Sequence, residues 1–184
     1  MARFRTELDK AAAGGRFDTA QFAAIQAAVI DYDSVFKTVI DSVERRRSGM
    51  NQTFLVGAQL NTTAMAIVDG AISGGDSEIL RSATRLQQAL QATRMSTARY
   101  LSTSDPNDAG AAQDELKKLR EALSSLQGLT LPKRLERFAA AMVRDIELFV
   151  TGLQDVAEGD RALDAAENRL FTVVDTLDSA IKAI

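Results

Sequence analysis

Residues 135–156 read LERFAAAMVRDIELFVTGLQDV, and within them Leu135, Phe138, Met142, Ile146, Phe149, Leu153 and Val156 recur at intervals of three and four. That recurrence is the period of an α-helix with one apolar face. Pro132 stands where a first helical turn tolerates proline, and no proline follows it before Ile184. The spacing therefore predicts one helix of roughly 50 residues, on the order of 75–80 Å long. A second helix of similar length opens at Asp18 or Thr19, both good N-caps, and runs to Asp69-Gly70. Its expected inward residues are Ile25, Val29, Tyr32, Phe36, Val39, Val43, Met50, Phe54 and Val68, a stripe that Arg46 and Arg47 interrupt.

The breakers between and before these helices are few. Gly14-Gly15 separates a short helix, at about residues 2–13, from the first long one. Gly74-Gly75 followed by Asp76-Ser77 is a stop and a fresh N-cap, opening a helix at about 77–102. Its stripe reads Ile79, Ala83, Leu86 and Leu90, then Thr93 or Arg94, Thr97 and Leu101, so apolar lining gives way to polar residues near its end. Ser104-Asp105-Pro106-Asn107-Asp108 is the strongest turn signal in the chain. A helix at about 108–127 follows, with Leu116, Leu119, Leu123 and Leu126 on one face, and ends at Gly128.

Composition agrees with an all-α fold. Of 184 residues, 46% are hydrophobic but only 5% aromatic, and there are two prolines. Two long helices and short partners predict an elongated antiparallel helical bundle. The chain has neither Cys nor His, which excludes the usual zinc and haem sites, thiol nucleophiles and His-assisted serine catalysis. Nothing else places a base beside a nucleophile, so no catalytic residue, metal ligand or cofactor is expected. A net charge of −3 with interspersed signs offers no face for nucleic acid. No apolar run reaches the roughly 18 residues that span a membrane. Met1-Ala2-Arg3-Phe4-Arg5 opens an amphipathic pattern rather than a signal peptide, so a membrane-anchored parent would make this chain an excised piece.

The chain also echoes itself. Glu7-Leu8-Asp9-Lys10 resembles Glu115-Leu116-Lys117-Lys118, and Val35-Phe36 through Val43 runs parallel to Leu148-Phe149 through Val156, so residues 1–50 echo about 109–163. The repeat predicts two stacked modules sharing the two long helices. The distal module is a four-helix bundle at about 43–156; the second comes from about 1–42 and 157–184 and lacks its first helix. Three helices would leave the stripes of Phe4, Leu8, Phe22, Val29, Leu170, Val174 and Leu177 open, and self-association through that module is expected.

Three passages carry a family resemblance. They are Ala92-Thr93-Arg94-Met95-Ser96-Thr97-Ala98-Arg99-Tyr100-Leu101 followed by Asp105-Pro106; Tyr32, Phe36 and Val39 with Arg46 and Asn51; and Gly57 with Gly74-Gly75-Asp76. In this order and spacing the chain resembles the helical bimodular sensor domain of methyl-accepting chemotaxis proteins and some sensor histidine kinases. The resemblance implies a periplasmic, homodimeric sensing region of an inner-membrane receptor. In that family a small molecule, typically an organic acid, binds between helices and shifts the last helix to signal. A histidine kinase input domain and a non-sensing helical scaffold are the alternatives.

A carboxylate ligand calls for guanidinium groups, whose planar fork pairs with it bidentately. Arg94 and Arg99 are the leading candidates, about 140° apart at about 100° of rotation per residue, with Arg94 the one on the core stripe. Arg46 or Arg47 falls where the stripe should be apolar, and convergence of Arg46 with Arg94 and Thr97 is the specific expectation. The ordinary alternative is that Arg94 and Arg99 lie along the bundle beside acidic neighbours, and that Arg45-Arg46-Arg47 is a solvated basic turn paired with Glu44 and with the level of Glu158 and Asp160. Asn61 and Tyr100 complete the candidates; a register-setting amide and a half-buried structural tyrosine are their alternatives.

Overall fold

The structure, a computed structural model, describes residues 19–182. Helices make up 94% of the described residues: α1 (Thr19–Gly74), α2 (Ser77–Thr103), α3 (Pro106–Gln127) and α4 (Lys133–Lys182), with no strand among them. The expected short helix at 2–13, Gly14-Gly15, Asp18 and the apolar residues Phe4 and Leu8 lie outside the described residues.

The helix ends follow from local chemistry. Gly75 adopts a left-handed φ of 71°, which a glycine takes without steric cost, and closes α1. The Asp76 carboxylate then accepts from the Glu78 and Ile79 amides at 2.8 and 3.1 Å, capping α2. At the other end of α2, Ser104 is left-handed at φ 52° and its amide donates to the Tyr100 carbonyl at 2.8 Å. Asp105 caps α3 by accepting from the Asn107 amide at 2.7 Å, and Pro106 fills the first turn. One boundary differs from the sequence expectation: α1 does not stop at Asp69-Gly70 but continues to Gly74. Gly70 is a packing glycine, because a Cβ there would lie 2.6 Å from Leu135 Cδ2.

The helices divide into two compact units, Arg45–Glu158 and Met1–Glu44 with Gly159–Ile184, and both divisions fall inside the long helices. The Arg45–Glu158 unit holds parts of α1 and α4 with all of α2 and α3. Leu60 and Ile67 of α1, Leu86 and Leu90 of α2, Leu119 and Leu126 of α3, and Met142, Ile146 and Phe149 of α4 form one buried core. The helices α1 and α4 run antiparallel: Gln52 Nε2 donates to the Leu148 carbonyl at 2.7 Å, Gly70 faces Leu135, and Arg45 pairs with Glu158 at 2.7 Å.

The seam between α1 and α4 differs from the bulky stripe read from the sequence. The buried side of α1 here is Gly49, Thr53, Gly57, Leu60, Ala64, Ile67 and Ala71, recurring at intervals of three and four. Phe54, expected inward, is 58% exposed. From Gly49 to Gly57 small residues hold the inner face, and the backbones meet at Gly49 and Gly152. A Cβ on Gly49 would lie 2.5 Å from the Gly152 carbonyl oxygen, and one on Gly152 would lie 2.6 Å from Thr53 Oγ1.

In the second unit Ile25, Val29 and Val35 of α1 and Ala166 and Val173 of α4 are buried, and Arg169 pairs with Asp31. Phe36, Ile40 and Val43 of α1 and Phe171 and Val174 of α4 are exposed there; Phe36 and Val43 had been expected to face inward.

Gly152→Ala is predicted to lower stability by about 1–3 kcal/mol in urea denaturation, because the methyl group must displace Thr53 or the α1 backbone. Gly110→Ala, with nothing within 4 Å of its Cβ, should raise stability by about 0.5–1 kcal/mol.

Candidate functional site

Where α2 turns from leucine to threonine, the core of the Arg45–Glu158 unit becomes polar. Thr53 on α1 and Thr93 and Thr97 on α2 are all buried. Two of the hydroxyls donate to carbonyls one turn back, Thr53 to Gly49 and Thr93 to Ala89, each at 2.8 Å. Thr97 does not. Its residue is 3% exposed and its Oγ1 has no hydrogen-bond partner. A buried hydroxyl in that state costs about 1–3 kcal/mol.

This layer opens into a cleft of about 270 Å³ between α1 and α2, backed by α4. Thr53, Gly57, Thr97 and Phe149 form its inner part by burial; Gln91, Arg94, Ala98 and Leu101 line the α2 side, and Phe54 and Met95 are its exposed apolar members. The glycine matters here: a Cβ on Gly57 would lie 3.3 Å from the Phe149 ring. Half-buried Arg94 has no ion pair or hydrogen bond among the described residues. The cleft thus contains a charged fork and a hydroxyl, both without protein partners.

The expected convergence is only partly present. Arg94 and Thr97 share the cleft, whereas Arg46 does not line it. Arg46 Nη2 instead donates to the Leu101 carbonyl at 3.3 Å and to Ser104 Oγ at 3.1 Å, and Nη1 reaches Met50 Sδ at 3.3 Å. It satisfies the carbonyl end of α2, a place where a helix dipole favours a cation. Arg99 is 74% exposed and outside the cleft, with Nε 2.8 Å from Asp108 Oδ1, while Thr103 donates to Asp108 Oδ2 at 2.8 Å. Those contacts fasten the α2–α3 turn. Tyr100 is buried with Leu101 and Val156 and is not part of the lining. Asn61 accepts from Gln91 Nε2 at 2.9 Å across α1 and α2, so it positions a cleft residue from outside the cleft. The basic run is not a turn; it is helical, with Arg45 on Glu158.

Thr53, Phe54, Gly57, Gln91, Met95 and Phe149 join the site without having been singled out as ligand contacts. For Thr53 and Gly57 the signal in the sequence is the series Gly49, Thr53, Gly57, small residues one turn apart. Among the described residues no group of three potential metal ligands occurs, and no helix is long and apolar enough to cross a membrane. No known protein family, curated protein or solved structure matches this chain.

Arg46→Met keeps the stem and removes the donors, and is predicted to cost about 1 kcal/mol in urea denaturation through the freed carbonyl end of α2. Ligand affinity of the cleft should change less than about threefold, since Arg46 is not in its lining.

Proposed function

We propose that the chain is the ligand-binding region of a bacterial transmembrane chemoreceptor, and that it takes a small anionic molecule into the cleft between α1 and α2. The observation that carries the reading is Arg94: a half-buried guanidinium in a cleft wall, without a protein anion, beside the unpartnered Thr97 hydroxyl. Desolvated guanidinium groups are stabilised by pairing, and a carboxylate supplies both lone-pair sets the fork and the hydroxyl lack. Support for the receptor context comes from the resemblance carried by residues 92–106, 32–51 and 57–76. On that reading the chain faces the periplasm, its parent is anchored in the inner membrane, and its partner is a second copy of itself. The exposed Phe36, Ile40 and Val43, at helical spacing in one unit, are surface that such a partner would cover.

Binding acts on α2 and α4 together. Arg94 and Leu101 belong to α2, Phe149 to α4, and a ligand touching them shifts the balance between arrangements only as far as it binds one better. Displacement of α4, the last helix, is the proposed output.

A non-sensing helical interaction protein is the second reading. Phe54, Met65 and Ile72 favour it, because all three are exposed along α1 in the Arg45–Glu158 unit. The two readings separate in a thermal-shift screen of organic acids, amino acids and inorganic anions. A sensor gains stability with at least one of them, by about 2.7 kcal/mol at a hundredfold excess over Kd. Arg94→Ala is predicted to weaken binding about ten- to a hundredfold with an unchanged helical spectrum, which cuts that gain to about 0.4–1.4 kcal/mol at the same concentration. An undiminished gain in Arg94→Ala, or no gain with any compound, contradicts the proposal.

A further inference from the structure

The lining of the cleft narrows its ligand beyond charge, a step that rests on the anion-binding reading above. Arg94 is the one ionisable residue in that lining; Thr53, Gln91 and Thr97 are neutral, and the remainder is apolar. Arg46 and Arg99, the neighbouring cations, are engaged at Leu101, Ser104 and Asp108. One planar fork matches one carboxylate. A second carboxylate directed inward would lie against buried Phe149 or Leu101, and an unpaired charge on buried apolar walls is strongly disfavoured.

Size and shape add to this. At about 270 Å³ the cleft has room for a carboxylate together with a compact apolar body. Two phenylalanines and a methionine thioether line the space, and Gly57 adds no side chain over the Phe149 ring. Rings and sulfur favour an aromatic guest through stacked, edge-to-face and sulfur–aromatic contacts that an alkyl chain does not match. We propose that the cleft binds a monocarboxylate bearing a single aromatic ring. Its carboxylate rests on Arg94 and the Thr97 hydroxyl, and its ring packs against Phe54 and Phe149.

Calorimetric titration of the full chain with benzoate, phenylacetate, acetate, succinate and the neutral isostere benzamide tests the assignment. An aryl acid should bind at least about tenfold tighter than acetate, succinate or benzamide. Phe54→Ala, a change at an exposed position, should weaken the aryl acid about tenfold while leaving the helical spectrum as it was. Tighter binding of acetate or succinate, weakened in Arg94→Ala, overturns the aromatic assignment and leaves the anion reading standing. An aryl acid bound equally well by Phe54→Ala overturns the placement of the ring. Failure of all five compounds to bind overturns the aromatic assignment, while a gain from another anion in the thermal screen, diminished in Arg94→Ala, would still uphold the anion reading.

Discussion

The backbone contact of α1 with α4 at Gly49 and Gly152 is the constraint from which the cleft follows. Neither glycine has room for a methyl group: the obstacles are the Gly152 carbonyl on one side and Thr53 Oγ1 with the Gly49 carbonyl on the other. Helices that meet through small residues leave no space for bulky ones on the shared face. The large side chains of α1 at this level, Phe54 above all, are therefore turned outward, toward α2 and solvent. One turn along α4, Phe149 is seated against Gly57 and becomes the back wall of the cleft. Close approach on one side of α1 thus creates the opening on the other.

Beyond that level the bundle returns to ordinary leucine packing, with Leu60, Leu86, Leu90 and Leu119 fully buried. The polar layer of Thr53, Thr93 and Thr97 departs from it and lowers stability, since Thr97 Oγ1 goes without a partner. An acceptor carried into the cleft by a bound molecule would return that loss. Among the described residues Asp145 is the other buried one with an unpartnered oxygen. Its Oδ1 meets Gln59 Nε2 only at 3.4 Å, and it lies outside the cleft lining, so the same argument does not extend to it.

Much of the fold was legible because its punctuation is local. Gly74-Gly75-Asp76 and Asp105-Pro106 mark helix ends through backbone conformation and side-chain caps, both fixed within a few residues. The stripes of α2, α3 and α4 were legible because large apolar residues mark their inner faces. On α1 the rule holds at Ile25 and Val29 but fails farther along. Hydrophobicity pointed to Phe36, Val43 and Phe54, whereas close approach demanded Gly49, Thr53 and Gly57. Gly70 misled for the same reason, being a contact and not a stop. Within the site, Arg94 and Thr97 were legible from their place on the core stripe. The positions of Arg46 and Arg99 were not, because the Leu101 carbonyl and Asp108 that hold them belong to a turn whose geometry a helical wheel does not contain.

In the proposed complex Arg94 is the cation that meets the ligand, while Arg46 and Arg99 keep their protein partners. Two-dimensional NMR of the arginine Nε–Hε groups during a benzoate titration measures this directly. The Arg94 resonance is predicted to shift saturably and exchange more slowly with water, with those of Arg46 and Arg99 moving little. Equal, unsaturable drift of all exposed arginines, or a saturable shift at Arg46 or Arg99 with Arg94 still, would contradict it.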